Sequence, residues 1–363
     1  MKITIVGGGN IGTQFMVHCA EKGHEVIAYT SKPEMFGKHL DIVNENGTVT
    51  HSGDIICATN DPEEAFSQAE MIIITIPSTM MKSMADIIFE YGNPTALIGV
   101  VPGNGGSECA FGKCIRRGNV FFAVERVPAI ARLVEKGKRV RSTGYRDELH
   151  VSSIPIRNVD NCCRIISELF GIPCRPIPNY LNLTMTPSNP ILHTTRLRTI
   201  FSDYRPGVVY KKLPLFYEEW DDASSQLLIK CDEEVQMICR ALPEYQLEYV
   251  KSLREHYESS TAEELTKKIS GIQAFKGLKT PAVEIEGGFI PDLHSRYFTA
   301  DYSYGLAIIK QVAGFAEVKT PCIDETMNWY EEIAIEHNEF RYSDYGILTR
   351  KEFDAFYLRG EPK

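Results

Sequence analysis

The chain opens on Ile3-Thr4-Ile5-Val6, a β-branched run that predicts a buried strand. It passes into the glycine turn Gly7-Gly8-Gly9-Asn10-Ile11-Gly12. Beyond the turn, Ile11, Phe15 and Cys19 recur every four residues with Met16 and Ala20 beside them, the apolar face of one helix. Gly23 stands where that helix should stop, and residues 25–29 predict a second strand. The alternation continues through a buried strand over 71–76 that ends at Pro77, a helix from Ser78 to Ile88, a strand over 97–101 and the turn Pro102-Gly103-Asn104-Gly105-Gly106. Residues 121–124, 139–141, 150–152 and 173–177 are expected to extend the same sheet, with a helix over 160–170. After Asn182 the pattern changes to apolar residues three and four apart, over 233–241, 247–257, 304–316 and 322–336, with few β-branched runs. The pattern predicts an α/β doubly wound parallel sheet over 1–180 and an all-α domain over 181–363, with the boundary in the proline-rich stretch 173–178.

Composition agrees with two folded domains. The chain has 363 residues, of which 43% are hydrophobic and 24% charged, with a net charge of −9. No basic cluster is dense enough for a nucleic-acid footprint. Ten scattered cysteines include no CxxC pair, so no zinc or thioredoxin-type centre is expected, and they read as reduced thiols of the cytoplasm. No 18-residue apolar run suggests a membrane span, and the apolar stretch before Gly7 is too short for a signal peptide.

The first fifty residues carry chemistry. Strand, GxGxxG turn, helix and strand within about thirty residues form the context of a Rossmann dinucleotide site. Gly7 permits the tight turn, Gly9 lets backbone approach a pyrophosphate, and Gly12 lets helix and strand pack closely. Asn10 and Ile11 open the helix whose free N–H groups and positive dipole end face the phosphates. Where NAD-dependent enzymes place an acidic residue on the ribose, this chain has Thr30-Ser31-Lys32. Two hydroxyls and an ammonium suit a 2′-phosphate, so NADP(H) is expected, with NAD(H) as the alternative. Pro77 and Gly105, at the ends of later strands, complete the expected cofactor contacts.

Two stretches stand out in the second half: Asn189-Pro190-Ile191-Leu192-His193 and Arg296-Tyr297-Phe298-Thr299-Ala300-Asp301, the latter followed by Gly305-Leu306. A histidine on an apolar helix is suited to acid–base work near neutrality, and an aspartate can orient its imidazole. Taken singly, His193 also reads as a structural residue and Asp301 as a helix cap, and their spacing does not bring them together. With Gly7 to Gly12 and Val101-Pro102-Gly103-Asn104-Gly105-Gly106 (Glu108 soon after), these stretches resemble the opine dehydrogenases of the octopine/nopaline type, in the same order over nearly the whole chain.

The resemblance implies a catalytic His193 paired with Asp301, and Arg296, Asn189 and Arg132 on the substrate. It also implies an NAD(P)H-dependent reductive condensation of an L-amino acid with a 2-oxo acid, and the reverse oxidation. The chain departs from the family pattern at Thr30-Ser31-Lys32, at Ala300 and at Arg126, where an added cation would suit a more acidic substrate. Two other readings compete. One is a two-domain 2-oxo or 3-hydroxy acid dehydrogenase of the ketopantoate reductase type, several of which place a catalytic Lys on the first helix of the second domain; this chain has none between Leu181 and Tyr210. The other is a non-catalytic NADP(H) sensor. Aromatic residues near the end (Phe340, Tyr342, Tyr345, Phe353, Phe356, Tyr357) are expected to dock on the chain itself or on a second copy, which leaves a homodimer open.

Overall fold

The computed structural model describes residues 1–336 and 338–361. It divides into two compact units: Met1–Leu183 together with the residues from Asp354 onward, and Thr184–Phe353.

The first unit is built on Lys2–Val6 (β1), Glu25–Tyr29 (β2), His39–Val43 (β3), Val49–Asp54 (β4), Cys57–Thr59 (β5), Met71–Ile74 (β6), Leu97–Val100 (β7) and Phe121–Val124 (β8). Ile130–Glu135 (β9), Arg139–Thr143 (β10), Leu149–Ile154 (β11) and Cys174–Pro176 (β12) follow. Eight strands form the main sheet in the order β12-β11-β8-β7-β6-β1-β2-β5. From β5 to β8 neighbours run parallel, whereas β11 lies antiparallel to β8. The central strands are buried on both faces, which explains why 71–74 reads as an unbroken apolar run rather than an alternating one. The helix Asn10–Glu21 connects β1 to β2 and buries Phe15, Met16 and Cys19 in the core.

A second sheet, β4-β3-β10-β9, has no counterpart in the sequence reading. Residues 139–141 were expected in the main sheet, but β10 pairs with β3 and β9 instead. Only Val140 of that triplet is buried, with arginines on either side, so it forms the one-sided strand of a separate layer.

The second unit is helical, with its longest helices over Asp222–Ala241, Pro321–Ile333 and Pro190–Ile200. Two local expectations change there. Only Leu253–His256 is helical within 247–257; Leu247, Val250 and Tyr257 are buried from successive turns, so three-residue spacing alone misled the reading. The helical unit also carries one hairpin, Ala282–Ile285 (β13) with Gly288–Pro291 (β14), turned at Gly287 where φ is +93°.

The residues from Asp354 onward pack in the first unit rather than the second. Tyr357 Oη donates to Glu108 Oε1 (2.6 Å), and Asn179 Nδ2 donates to the Tyr357 carbonyl (3.0 Å). Of the late aromatic residues, Phe340, Tyr342, Phe353, Phe356 and Tyr357 are buried within the chain. No helix among the described residues is long and apolar enough to cross a membrane.

Candidate active site

The glycine turn of the first unit fits a dinucleotide. Gly7 has φ of +105°, a conformation that favours glycine. A Cβ on Gly12 would lie 1.7 Å from the Gly7 carbonyl oxygen, so helix and turn meet only through a bare backbone. Beside Gly9, by contrast, no atom lies within 4 Å of a Cβ position, and no side chain caps the helix that starts at Asn10. Open space next to uncapped helical N–H groups is what a pyrophosphate requires. Ile11 follows in the first turn. The Asn10 side chain is turned elsewhere: its Oδ1 accepts from Leu133 N at 2.8 Å and ties the helix start to β9. Arg132 precedes Leu133 on β9, exposed, with Nη1 donating to the Ala131 carbonyl (3.0 Å). It stands on the unit that holds the glycine turn, whereas Arg296 and Asn189 stand on the other.

At the end of β2, Thr30 is buried and its hydroxyl accepts from Lys32 N (3.4 Å). Ser31 and Lys32 are exposed, and Lys32 has no ion pair among the described residues. Pro77 follows β6, exposed, and Gly105 (φ +75°) lies in the turn after β7. That turn is close to β8, since a Cβ on Gly103 would lie 2.2 Å from the Ala123 Cβ. Just past β8, Glu125 Oε2 lies 2.9 Å from His150 Nδ1 and Oε1 3.4 Å from Arg126 Nε. Burial opposes ionisation of Glu125, yet these two neighbours hold its carboxyl below the usual range.

In the second unit the helix Pro190–Ile200 begins at Asn189, whose carbonyl accepts from His193 N at 2.9 Å while its side chain caps nothing. His193 is 4% exposed. Its Nδ1 lies 2.7 Å from Asp301 Oδ2, across 108 residues of sequence. Its Nε2 lies 2.6 Å from the hydroxyl of Tyr217, a residue the sequence reading did not single out. Tyr217 stands in an irregular stretch, so no period or motif marks it. Burial, Tyr297 and Asp301 raise its phenol well above the usual range, so it stays protonated. A protonated phenol donates to Nε2, and the neutral ring then donates from Nδ1 to Asp301. The Tyr297 ring stands edge-on to His193 at 4.6 Å.

Arg296 is exposed, with its guanidinium 5.4 Å from the Tyr297 ring centroid and no ion pair among the described residues. It shares one short segment with Asp301, whose N–H donates to the Arg296 carbonyl (3.3 Å). No metal was expected. Among the described residues, one trio of potential ligands, His18, Glu21 and His51, comes within 4.8 Å. Its members are engaged in hydrogen bonds, His51 Nδ1 with Glu21 Oε2 (2.8 Å) and His18 Nε2 with Tyr145 Oη (3.0 Å).

Comparison with known proteins gives these features a context. Residues 176–334 match the alpha-helical domain of NAD/NADP octopine/nopaline dehydrogenase, and residues 2–101 match the N-terminus of NAD-dependent glycerol-3-phosphate dehydrogenase. Octopine dehydrogenase of Pecten maximus is 27% identical over 361 residues, covering 92% of this chain and 90% of that one. Opine dehydrogenase of Haliotis discus hannai is 27% identical over 293 residues, covering 76% and 72%. A solved octopine dehydrogenase structure with NADH and pyruvate superposes with a TM-score of 0.79 at 25% identity, covering 92% of this chain and 88% of the other. With its glycine turn, its two units and the octopine/nopaline dehydrogenase helical domain over residues 176–334, the chain is an NAD(P)-dependent oxidoreductase of the opine type.

Proposed function

We propose that the protein joins the amine of an L-amino acid to the carbonyl carbon of a 2-oxo acid, with NADPH as reductant, and runs the reverse oxidation. The observation that carries this reading is the pairing of buried His193 with half-buried Asp301 at 2.7 Å, with Arg296, which has no ion pair among the described residues, on the same segment as Asp301. The bound coenzyme supplies or accepts hydride at the carbon that becomes attached to nitrogen. His193 takes the proton that the substrate ammonium must lose before it attacks, and returns it when water leaves the adduct. Asp301 holds the Nδ1–H tautomer and stabilises the imidazolium, as carboxylates do in other His–carboxylate pairs. Arg296 grips a substrate carboxylate with its guanidinium fork, Asn189 takes a further substrate contact, and Arg132 contributes a cation from β9.

Each substrate carries a carboxylate and the chain carries a net charge of −9, so local cations supply the attraction that the molecule as a whole does not. For the coenzyme, exposed Lys32 beside Ser31 favours the 2′-phosphate of NADP(H). Octopine dehydrogenase has been solved with NADH and with L-arginine or pyruvate, which supports the same two substrate classes here.

The test is a matrix of L-amino acids against 2-oxo acids, followed by loss of NADPH absorbance. Oxidation that requires both acids supports the reading. Oxidation with an oxo acid alone replaces it with a simple 2-oxo acid reductase.

A further inference from the structure

His193 cannot meet a substrate with either ring nitrogen as it stands. Nδ1 is held by Asp301 and Nε2 by the Tyr217 hydroxyl; both rings are 4% exposed, so it is the occupied nitrogens that bar direct contact. Either Tyr217 moves aside, or the proton travels through it. The surroundings of Tyr217 decide between these. Its ring lies nearly parallel to Phe275 at 4.2 Å and to Trp220 at 6.4 Å. The backbone around it is fastened by fully buried Arg196. The Nε of Arg196 donates to the Phe216 carbonyl (2.9 Å), Nη2 to the Glu219 carbonyl (2.5 Å), and Nη1 to Asp221 Oδ2 (2.8 Å) and Ser224 Oγ (2.9 Å). On the other side, Phe216 N donates to the Leu278 carbonyl at 2.8 Å. Swinging the phenol away would break the ring stack and pull against this network. Tyr297, half-buried and edge-on to the His193 ring at 4.6 Å, stands beside the pair.

From this geometry we infer that Tyr217 is a catalytic proton relay, extending the Asp301–His193 pair to the reacting atoms of the substrates. The inference rests on the opine dehydrogenase reading above. In amine formation, the substrate ammonium gives a proton to Tyr217 Oη while the phenolic proton moves to His193 Nε2. This leaves a neutral amine and an imidazolium paired with Asp301. The amine nitrogen adds to the 2-oxo carbon, and one of its protons passes to the former carbonyl oxygen. The relay then runs backwards: Nε2–H returns to Oη, and the phenolic proton goes to the adduct hydroxyl. That hydroxyl leaves as water, and the protonated imine accepts hydride to give the secondary amine. No net charge is left on the protein. Because the phenol stays protonated at rest, each transfer moves two protons together.

The experiment is Tyr217→Phe, with His193→Ala as its companion, both assayed in H2O and D2O mixtures with a pair of acids the wild type accepts. Far-UV circular dichroism and the thermal unfolding midpoint, beside coenzyme binding by fluorescence titration, report that the variants are folded. A relay predicts that Tyr217→Phe lowers kcat by about 10²-fold with little change in either KM, the lower end of what acid–base groups contribute. It also predicts a curved, two-proton dependence of the wild-type rate on deuterium fraction, which the variant loses. A linear dependence in the wild type, or a Tyr217→Phe rate within threefold of it, overturns the relay while leaving the dyad in place. If His193→Ala keeps its amine-dependent turnover, or the wild type shows none, the dyad and the relay fall together.

Discussion

At the scale of single residues, charge and burial make three statements that experiment can check. His193→Ala should lower turnover by about 10²- to 10⁴-fold, the range for a lost acid–base group, while the dissociation constant for NADPH stays within twofold. Lys32 is exposed just past β2 with no ion pair among the described residues, and the NADP(H) proposal assigns it to the 2′-phosphate. Lys32→Asp should therefore lower kcat/KM for NADPH about tenfold or more, as expected for a lost charge-assisted contact, and leave NADH nearly unaffected. Equal losses with both coenzymes would remove Lys32 from the cofactor assignment.

Asp232 concerns stability instead. Burial pushes its carboxyl up to about 7, although Oδ2 accepts from Leu253 N at 2.8 Å. Its folded pKa is raised above the unfolded value. Its stabilising contribution is therefore full below about pH 4 and lost as pH rises through 7. Asp232→Asn should raise the unfolding midpoint at pH 8, with the gain shrinking as pH falls toward 4. His18 has the opposite sign: burial, His51 and Lys22 lower its imidazole to about 3. The neutral buried ring thus favours folding above pH 6.5, and that share is lost as pH falls toward 3.

At the scale of elements, local period and glycine placement did much of the specifying. The first helix and its flanking strands follow from the spacing of Ile11, Phe15 and Cys19 and from the glycines around them. The reason Gly12 must be glycine is steric. Gly12→Ala would bring a Cβ to 1.7 Å from the Gly7 carbonyl oxygen, so the turn has to open. Coenzyme binding by calorimetry should then be lost, with the second unit's folding much less affected. Legibility failed where an element depends on distant partners. β3 with β4 and β9 with β10 form hairpins of mixed composition, and only the pairing of β3 with the distant β10 makes one sheet of them. In 247–257, apolar residues three apart are buried through turns, a pattern that periodicity cannot tell from a helix.

Across the whole molecule, the chain does not divide once along its length. Residues from Asp354 onward pack with the first unit, burying Phe356 and Tyr357 beside Asn179 and Glu108. A chain ending at Phe353 should therefore destabilise the dinucleotide unit, which a lower midpoint of coenzyme-protected thermal unfolding would show. An unchanged midpoint would make that return incidental. A hydrophobic run records that a segment is to be buried, but not against what.

The sequence by itself determined the parts whose cause is local: the glycine turn with its strands and helix, the Thr30-Ser31-Lys32 stretch that follows β2, and the helical character of the second half. Residue chemistry also named His193, Asp301 and Arg296, through motifs rather than contacts. Only the tertiary structure decided that Asp301 lies on Nδ1 of His193 from 108 residues away, and that Tyr217 occupies Nε2. It alone decided that Arg196 fastens the stretch bearing that phenol. The physical reason is range. Backbone torsions and side-chain period act over a few residues. The direction in which a buried hydroxyl or carboxylate points is fixed by the packing of whole elements.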